Sequence, residues 1–272
     1  MRGLAGRCGA IALIAAMVGV QPAAAQLGNV GETETTTADL EHAASETGGA
    51  EGDPWEGFNR KMFSAHLFID GNFLVPGAKA YRAVTPKPAR KGLRNFLANA
   101  AMPKTLVNDL LQGKVGRAGE TTGRFLINST IGFLGFADPA AKLGVPPHTE
   151  DFGQTLAVWG AGSGPYLFLP LFGPSSLRDG FGAAVDIGFD PLFYIRTDPA
   201  AYARYSRAGA TGLALREPLI EPLEDIEAKS LDYYASLRSF WLQARKREIN
   251  DGVTNFEDLP DIGDYEELDE LE

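Results

Sequence analysis

Between Asp53 and Asp179 no stretch of the chain runs far without a glycine or a proline, and the pieces between them are short and aromatic. Glycine and proline punctuate helices and strands, so this density divides the body into many separate segments. Three phrases stand out: Asp53-Pro-Trp-Glu-Gly-Phe-Asn-Arg60, Arg124-Phe-Leu-Ile-Asn-Ser-Thr-Ile-Gly-Phe-Leu-Gly-Phe136 and Gly164-Pro-Tyr-Leu-Phe-Leu-Pro-Leu-Phe-Gly-Pro174. They are nearly empty of catalytic residue types. That combination points to apolar material at a membrane and argues against a conventional enzyme.

Periodicity makes the segments mainly helical. Phe58, Met62, Phe63, Leu67 and Ile69 recur at helical spacing over about 55–74. Pro88 opens a second helix carrying Leu93, Phe96 and Leu97, and a third is expected from Pro103 to Gln112, stopped by Gly113. In that third segment Leu106, Val107, Leu110 and Leu111 form one stripe. Further helices follow at Ala118–Asn128, at Asp151–Trp159 capped by Thr149 or Asp151, from Ser175 or Ser176, and at Asp198–Leu215. Tyr166–Pro170 reads as extended, because Pro165 and Pro170 bar an uninterrupted helix. One long last helix is expected from Pro222 to Arg247, with Ile226, Tyr233, Leu237, Phe240, Trp241 and Ala244 on one side. Few or no strands are expected. On composition, the apolar runs Phe125–Ala137 and Tyr166–Phe172 read as buried core before they read as a lipid-facing belt.

The ends differ from this body. Arg2 and Arg7, the apolar run Ala10–Val20 and the small residues Ala23-Ala-Ala25 make a cleavable export signal over 1–25. Residues 26–52 read as a disordered linker, 53–250 as the helical domain and 251–272 as an acidic disordered tail. The net charge of −10 is concentrated in that tail, where Asp251 to Glu272 hold ten acids and no base. The only cysteine, Cys8, precedes the apolar run, so the exported chain is expected to lack both a disulfide and an acylated cysteine.

Chemistry-bearing patterns are scarce. The histidines His42, His66 and His148 fit no metal-ligand spacing, and no cofactor-binding loop occurs. Ser163 lies in Gly160-Ala-Gly-Ser-Gly164, which misses a nucleophile elbow because Ala161 occupies the first glycine's place, leaving a lipid-acting serine hydrolase of Ser163 and His148 as an alternative. Gly71 to Asn108 carries seven cations and no acid. Among these, Lys87, Arg90, Lys91 and Arg94 are candidates for contact with lipid headgroup phosphates, as readily as for an ordinary solvated face. Nucleic acid is a poor partner for an exported, net-acidic chain.

In order along 53–194, these phrases resemble the VacJ/MlaA family. The resemblance rests on Asp53–Arg60, Pro88-Ala-Arg90 with Asn95, Phe96 and Asn99, and Leu111-Gln-Gly113. It continues through Arg124, Phe125, Asn128, Gly132, Gly135, Phe136 and Asp138, then Asp151-Phe-Gly-Gln-Thr-Leu156, Trp159-Gly160, Gly164-Pro-Tyr166, Leu169-Pro170, Gly173-Pro174 and Arg178-Asp179. The resemblance implies a ring-like helical bundle lying in the outer membrane from the periplasmic side. An amphipathic channel would take phospholipids from the outer leaflet and pass them to a soluble periplasmic lipid-binding carrier, beside an outer-membrane porin. Ile131 to Leu143 is similar to the family's gating hairpin, which makes Gly132, Phe133, Leu134, Gly135 and Phe136 the candidate channel and gate residues. A protein that merely binds porins is a further alternative.

The leader generates a direct test. Intact mass of the exported protein should correspond to a chain beginning at Gln26 without an acyl increment; a lipid-modified chain beginning at Cys8 would overturn this reading.

Overall fold

A computed structural model describes residues 53–252. The expected export signal and linker, and the tail beyond Gly252, lie outside the described residues. Helix α1 (Glu56–Ile69) runs through a wider π-type turn, Asp70–Leu74, into α2 (Val75–Val84). There follow α3 (Lys87–Leu111), α4 (Val115–Thr130), α5 (Pro139–Lys142) and α6 (Phe152–Val158). A hairpin of β1 (Tyr166–Leu169) and β2 (Gly173–Ser176) interrupts the helices. The chain then continues through α7 (Leu177–Asp186), α8 (Pro191–Tyr194), α9 (Asp198–Arg216), α10 (Ile220–Lys229) and α11 (Tyr233–Ile249). The fold is mainly α, as the periodicity predicts.

Two helix boundaries differ from the sequence reading. The expected second and third helices are one helix, α3, with Pro103 inside it. Proline removes one backbone hydrogen bond there and crowds the carbonyl four residues earlier. Packing of α3 along α4 and α9 holds the helix together across that defect. Conversely, the expected long last helix is two. Lys229 ends α10, Ser230 is extended, and Asp232 starts α11 by accepting the N–H of Ala235 at 3.1 Å. Asp232 also pairs with Arg60 of α1, an interaction no local pattern reveals.

The apolar core is small and aromatic. Phe63 of α1 meets Phe168 of β1 edge-on at 5.1 Å and Tyr234 of α11 at 5.6 Å. Trp241 closes on Tyr166 at 5.7 Å. The opening phrase serves this junction. Asn59 donates to Asp53 Oδ1 at 2.9 Å and to the Tyr166 carbonyl at 3.0 Å, while its own side-chain oxygen accepts the Phe168 N–H at 2.9 Å. Tyr234 donates its hydroxyl to Asp53. One asparagine therefore satisfies strand backbone groups that would otherwise be buried unpaired.

His66 supports the tip of the hairpin. Its Nδ1 accepts the N–H of Leu171 at 3.2 Å, where Leu171 holds φ +71°, a conformation unfavourable to leucine. Accepting there requires the neutral ring. Burial lowers the His66 pKa from its ordinary 6.5; Asp70 opposes this and Arg216 adds to it. A histidine whose folded pKa lies below its unfolded value contributes its full stability above about pH 6.5 and loses it as pH falls toward the folded value. The thermal midpoint should therefore fall from pH 7 to pH 5, and the fall should be smaller in His66→Gln; identical pH profiles for both proteins would remove His66 from this role.

Candidate functional site

Helices α3 and α4 are amphipathic in the unusual sense. The buried positions of α3 are Arg90, Asn99, Thr105, Asn108 and Asp109; those of α4 are Ala118, Thr121, Arg124 and Asn128. Facing outward are Leu110, Leu111, Val115 and Leu126. The stripe at Leu110 and Leu111 thus turns away from the interior, and the intervening Asn108 and Asp109 turn in. Periodicity gives the two faces of a helix but not which face is inside.

The buried polar residues are paired with one another. Asn108 donates to Asp186 Oδ1 at 3.0 Å and accepts from Thr155 at 2.8 Å. Asp109 accepts from Thr121 at 2.5 Å, and His148 Nε2 lies 3.2 Å from both Asp109 oxygens and 3.0 Å from Thr121 Oγ1. Burial raises the Glu150 pKa against the pull of Gln112, Lys114 and Arg117 around it. Apart from His148 and the motif residues Gln112 and Thr155, the sequence reading did not single these residues out; together they join α3, α4, α6 and α7.

At the end of α4 this polar lattice builds an apolar turn. Arg124 donates to Asp138 at 2.8 Å and to the Val145 carbonyl. Asn128 donates to Asp138 at 3.0 Å and accepts the Ala140 N–H at 3.1 Å. Burial pushes the Asp138 carboxyl up, but the Ala141 N–H, Arg124 and Asn128 outweigh it and hold it below the ordinary carboxylate value. Between these anchors Phe133, Leu134 and Gly135 take φ of 54°, 60° and 93° in succession. Two left-handed non-glycine residues in a row are strained, and the surroundings hold them. Leu134 N–H donates to Ser129 at 3.0 Å and Gly135 N–H to Asn128 at 2.8 Å, while Asn95 of α3 donates to the Phe136 carbonyl at 3.2 Å. Phe96 stacks on Phe136 at 5.1 Å.

The result is a fixed turn with a greasy outer surface. Phe133 is 79% exposed and Leu134 63%. Gly132 and Gly135 are close-packed. A Cβ on Gly132 would meet the Asn128 carbonyl oxygen at 2.4 Å, and one on Gly135 would meet Asn99 Cβ at 2.4 Å. The glycines therefore fit the turn against α3 and α4.

The basic candidates separate. Lys87 and Lys91 are exposed on the first turns of α3. Arg90 is buried, its guanidinium on Glu217, and Arg94 reaches the same carboxylate at 3.4 Å. The contact of Arg90 is thus with a carboxylate from the turn after α9, because burial demands a paired charge. Arg82, Lys79 and Lys104 likewise meet Glu217 and Glu221, Glu224 and Asp186.

Ser163 and His148 are not brought together. Ser163 Oγ lies in an exposed loop and donates to the Gly164 carbonyl, while His148 uses one nitrogen, Nε2, on both Asp109 and Thr121. A catalytic relay needs the carboxylate on one ring nitrogen and the nucleophile on the other. Among the described residues no cluster has metal-binding composition, and no helix is long and apolar enough to cross a membrane.

Comparison with known proteins agrees with this architecture. The sequence profile of the MlaA lipoprotein family matches residues 51–248. The intermembrane phospholipid transport system lipoprotein MlaA of Escherichia coli is 33% identical over 214 residues, covering 76% of this chain and 82% of that protein. An uncharacterised protein of Rickettsia bellii is 34% identical over 203 residues, 72% of this chain and 76% of its own length. A solved structure described as the structural basis for maintenance of bacterial outer membrane lipid asymmetry superposes with a TM-score of 0.63 at 31% identity, over 74% of this chain and all of that one. The names of the family and of the Escherichia coli relative include "lipoprotein" and lend no support to an unacylated N-terminus.

The glycines of the turn and those of the α4 surface should respond oppositely to a methyl group. Gly135→Ala should destabilise the fold by about 2–4 kcal/mol, from left-handed strain plus overpacking. Gly119→Ala, on a helical surface with open space around it, should stabilise by up to about 1 kcal/mol. Thermal unfolding of both variants checks this, and equal effects would mean that Gly135 is not held by packing.

Proposed function

This chain belongs to the MlaA lipoprotein family, and from that premise we propose that it carries phospholipids out of the outer leaflet of the outer membrane to maintain lipid asymmetry. The observation that best supports the reading is the inversion of α3 and α4, which bury Asn108, Asp109, Thr121, Arg124 and Asn128 and expose Leu110, Leu111, Val115 and Leu126. A protein that stands in lipid gains by an apolar exterior, and a path for a headgroup gains by a polar interior. Each acyl CH₂ withdrawn into water costs about 0.8 kcal/mol, so a continuous sheltered path removes a barrier that no side-chain chemistry needs to lower.

In this reading the protein is a conduit without a catalytic step. The exposed apolar turn at Ile131–Phe136 touches lipid tails and acts as the gate's tip, moving as one piece because its glycines are close-packed. Lys87, Lys91 and Arg94 meet headgroup phosphates. The lipid passes to a soluble periplasmic carrier, with an outer-membrane porin alongside.

Deleting the gene should raise outer-leaflet phospholipid and detergent sensitivity, and the wild-type gene should restore both. Leu134→Asp, which puts a charge on the exposed tip without touching the packed glycines, should restore neither fully. An unchanged leaflet distribution on deletion, with the rest of the pathway intact, would overturn the reading.

A further inference from the structure

Three arginines from two helices converge on one carboxylate. Arg82 of α2 lies 2.7 Å from Glu217 Oε1, Arg90 of α3 pairs with the same oxygen, and Arg94 reaches Oε2 at 3.4 Å. Arg82 is also paired with Glu221 of α10 and donates to the Glu217 carbonyl at 2.6 Å. Three cations therefore face two carboxylates, which leaves one positive charge in excess.

The donors outnumber the acceptors in the same way. Each guanidinium has five N–H groups and no acceptor. Among the described residues Arg90 Nε, in a side chain only 10% exposed, has no hydrogen-bond partner, and neither has the shielded hydroxyl of Tyr81. That hydroxyl stands in the field of Arg94, Glu217 and Arg90; burial raises its pKa, so it keeps its proton and remains a donor. Buried donors without acceptors are rare in folded proteins and commonly mark the place of a water or an ion.

The cluster is also open on one side. Arg94 is 38% exposed and its bond to Glu217 is the longest of the three, so its guanidinium is the one able to turn to a ligand. Lys87 and Lys91 stand exposed on the same helix and add positive potential at the approach.

We propose that Arg94, Tyr81 and Arg90 form a binding site for a phosphate-type oxyanion, either the phosphodiester of a phospholipid headgroup or free phosphate. The headgroup form deepens the transport reading above and rests on it. In it, Arg94 swings from its long contact with Glu217 to take two phosphate oxygens in its fork, and the Tyr81 hydroxyl donates to one of them. Arg82 stays on Glu217 and Glu221 and holds the two helices in place.

The test is calorimetric titration of the purified mature protein with three probes: inorganic phosphate, dihexanoyl phosphatidylglycerol and dihexanoylglycerol. The site predicts saturable binding of a phosphate-bearing probe and none of the neutral diacylglycerol. Arg94→Gln and Tyr81→Phe should each weaken that binding about tenfold, the loss of one charge-assisted or buried hydrogen bond. Thermal midpoints of both should stay near that of the wild type, since Arg82 and Arg90 are unchanged. Lys79→Gln, which removes only the outer pair with Glu224, should bind as the wild type does. Phospholipid and phosphate competing for one site identifies the headgroup; phosphate binding with no effect of the lipid identifies free phosphate. Absence of binding by either, or wild-type affinity in both Arg94→Gln and Tyr81→Phe, overturns the proposal. Should wild-type protein transport lipid while neither probe binds, the oxyanion site fails and the conduit reading stands.

Discussion

The grip of Arg245 on two aspartates ties the last helix to the middle of the chain. Arg245 of α11 donates to both oxygens of Asp151 at 2.7 Å and to Asp179 at 2.9 Å, and Glu248 completes the cluster at 2.9 Å. Both aspartates also sit at helix starts, Asp151 as the cap of α6 and Asp179 in the first turn of α7. Asp151 accepts the Gln154 N–H at the start of α6, and Asp179 exchanges hydrogen bonds with Ser176 at the start of α7. Burial pushes the Asp151 carboxyl up, but Arg245 outweighs it and holds the group well below the carboxylate range. Burying these charges is costly, and removing one partner of such a set commonly costs about 3–5 kcal/mol because the others are left unpaired. The same constraint explains two glycines. A Cβ on Gly153 would meet Asp179 Oδ1 at 2.5 Å, and one on Gly182 would meet the Gly153 nitrogen at 2.4 Å. Helices α6 and α7 approach at backbone distance so that one guanidinium reaches both aspartates.

Polar pairing of this kind recurs throughout the interior. The Asn59 junction with β1, the Asn108–Thr155–Asp186 set, the Asp109–Thr121–His148 set and the Arg124–Asn128–Asp138 frame each join two or more elements. Directional bonds do what a large apolar core does elsewhere, and they leave apolar side chains available for the outside. Exposed large apolar groups are therefore dense here: Phe68, Phe73, Ile131, Phe133, Phe181 and Tyr202 are all well exposed. A contiguous apolar exterior is a liability in water and an asset in a bilayer. Family membership and this distribution of side chains are consistent with one environment.

Much of the fold is legible in the residues alone. Gly113 ends α3 at φ +74°, Asp151 caps α6 and Ser176 caps α7, as their types and positions predict. Pro165 and Pro170 bracket a strand. These are local rules, in which a side chain acts on backbone groups within a few residues. The phrases that carry the family resemblance are legible too, but their roles are not. Asn59 and Tyr166 lie more than a hundred residues apart in sequence, and nothing around either residue announces the other.

What the sequence by itself determined is the helical content, most of the caps and breaks, and the family, because each depends on short-range periodicity or on an ordered set of motifs. Tertiary structure alone decided which face of α3 and α4 is inside, since periodicity is the same for a stripe and its inverse. It also decided that Pro103 lies within a helix supported by α4 and α9, and that the chain breaks before Asp232 to meet Arg60. The cations of Gly71–Asn108 read as one uninterrupted basic run, yet most are matched by Glu217, Glu221, Glu224 and Asp186 from later elements. Charge in a segment is a property of sequence; the potential at a surface depends on what folding brings beside it.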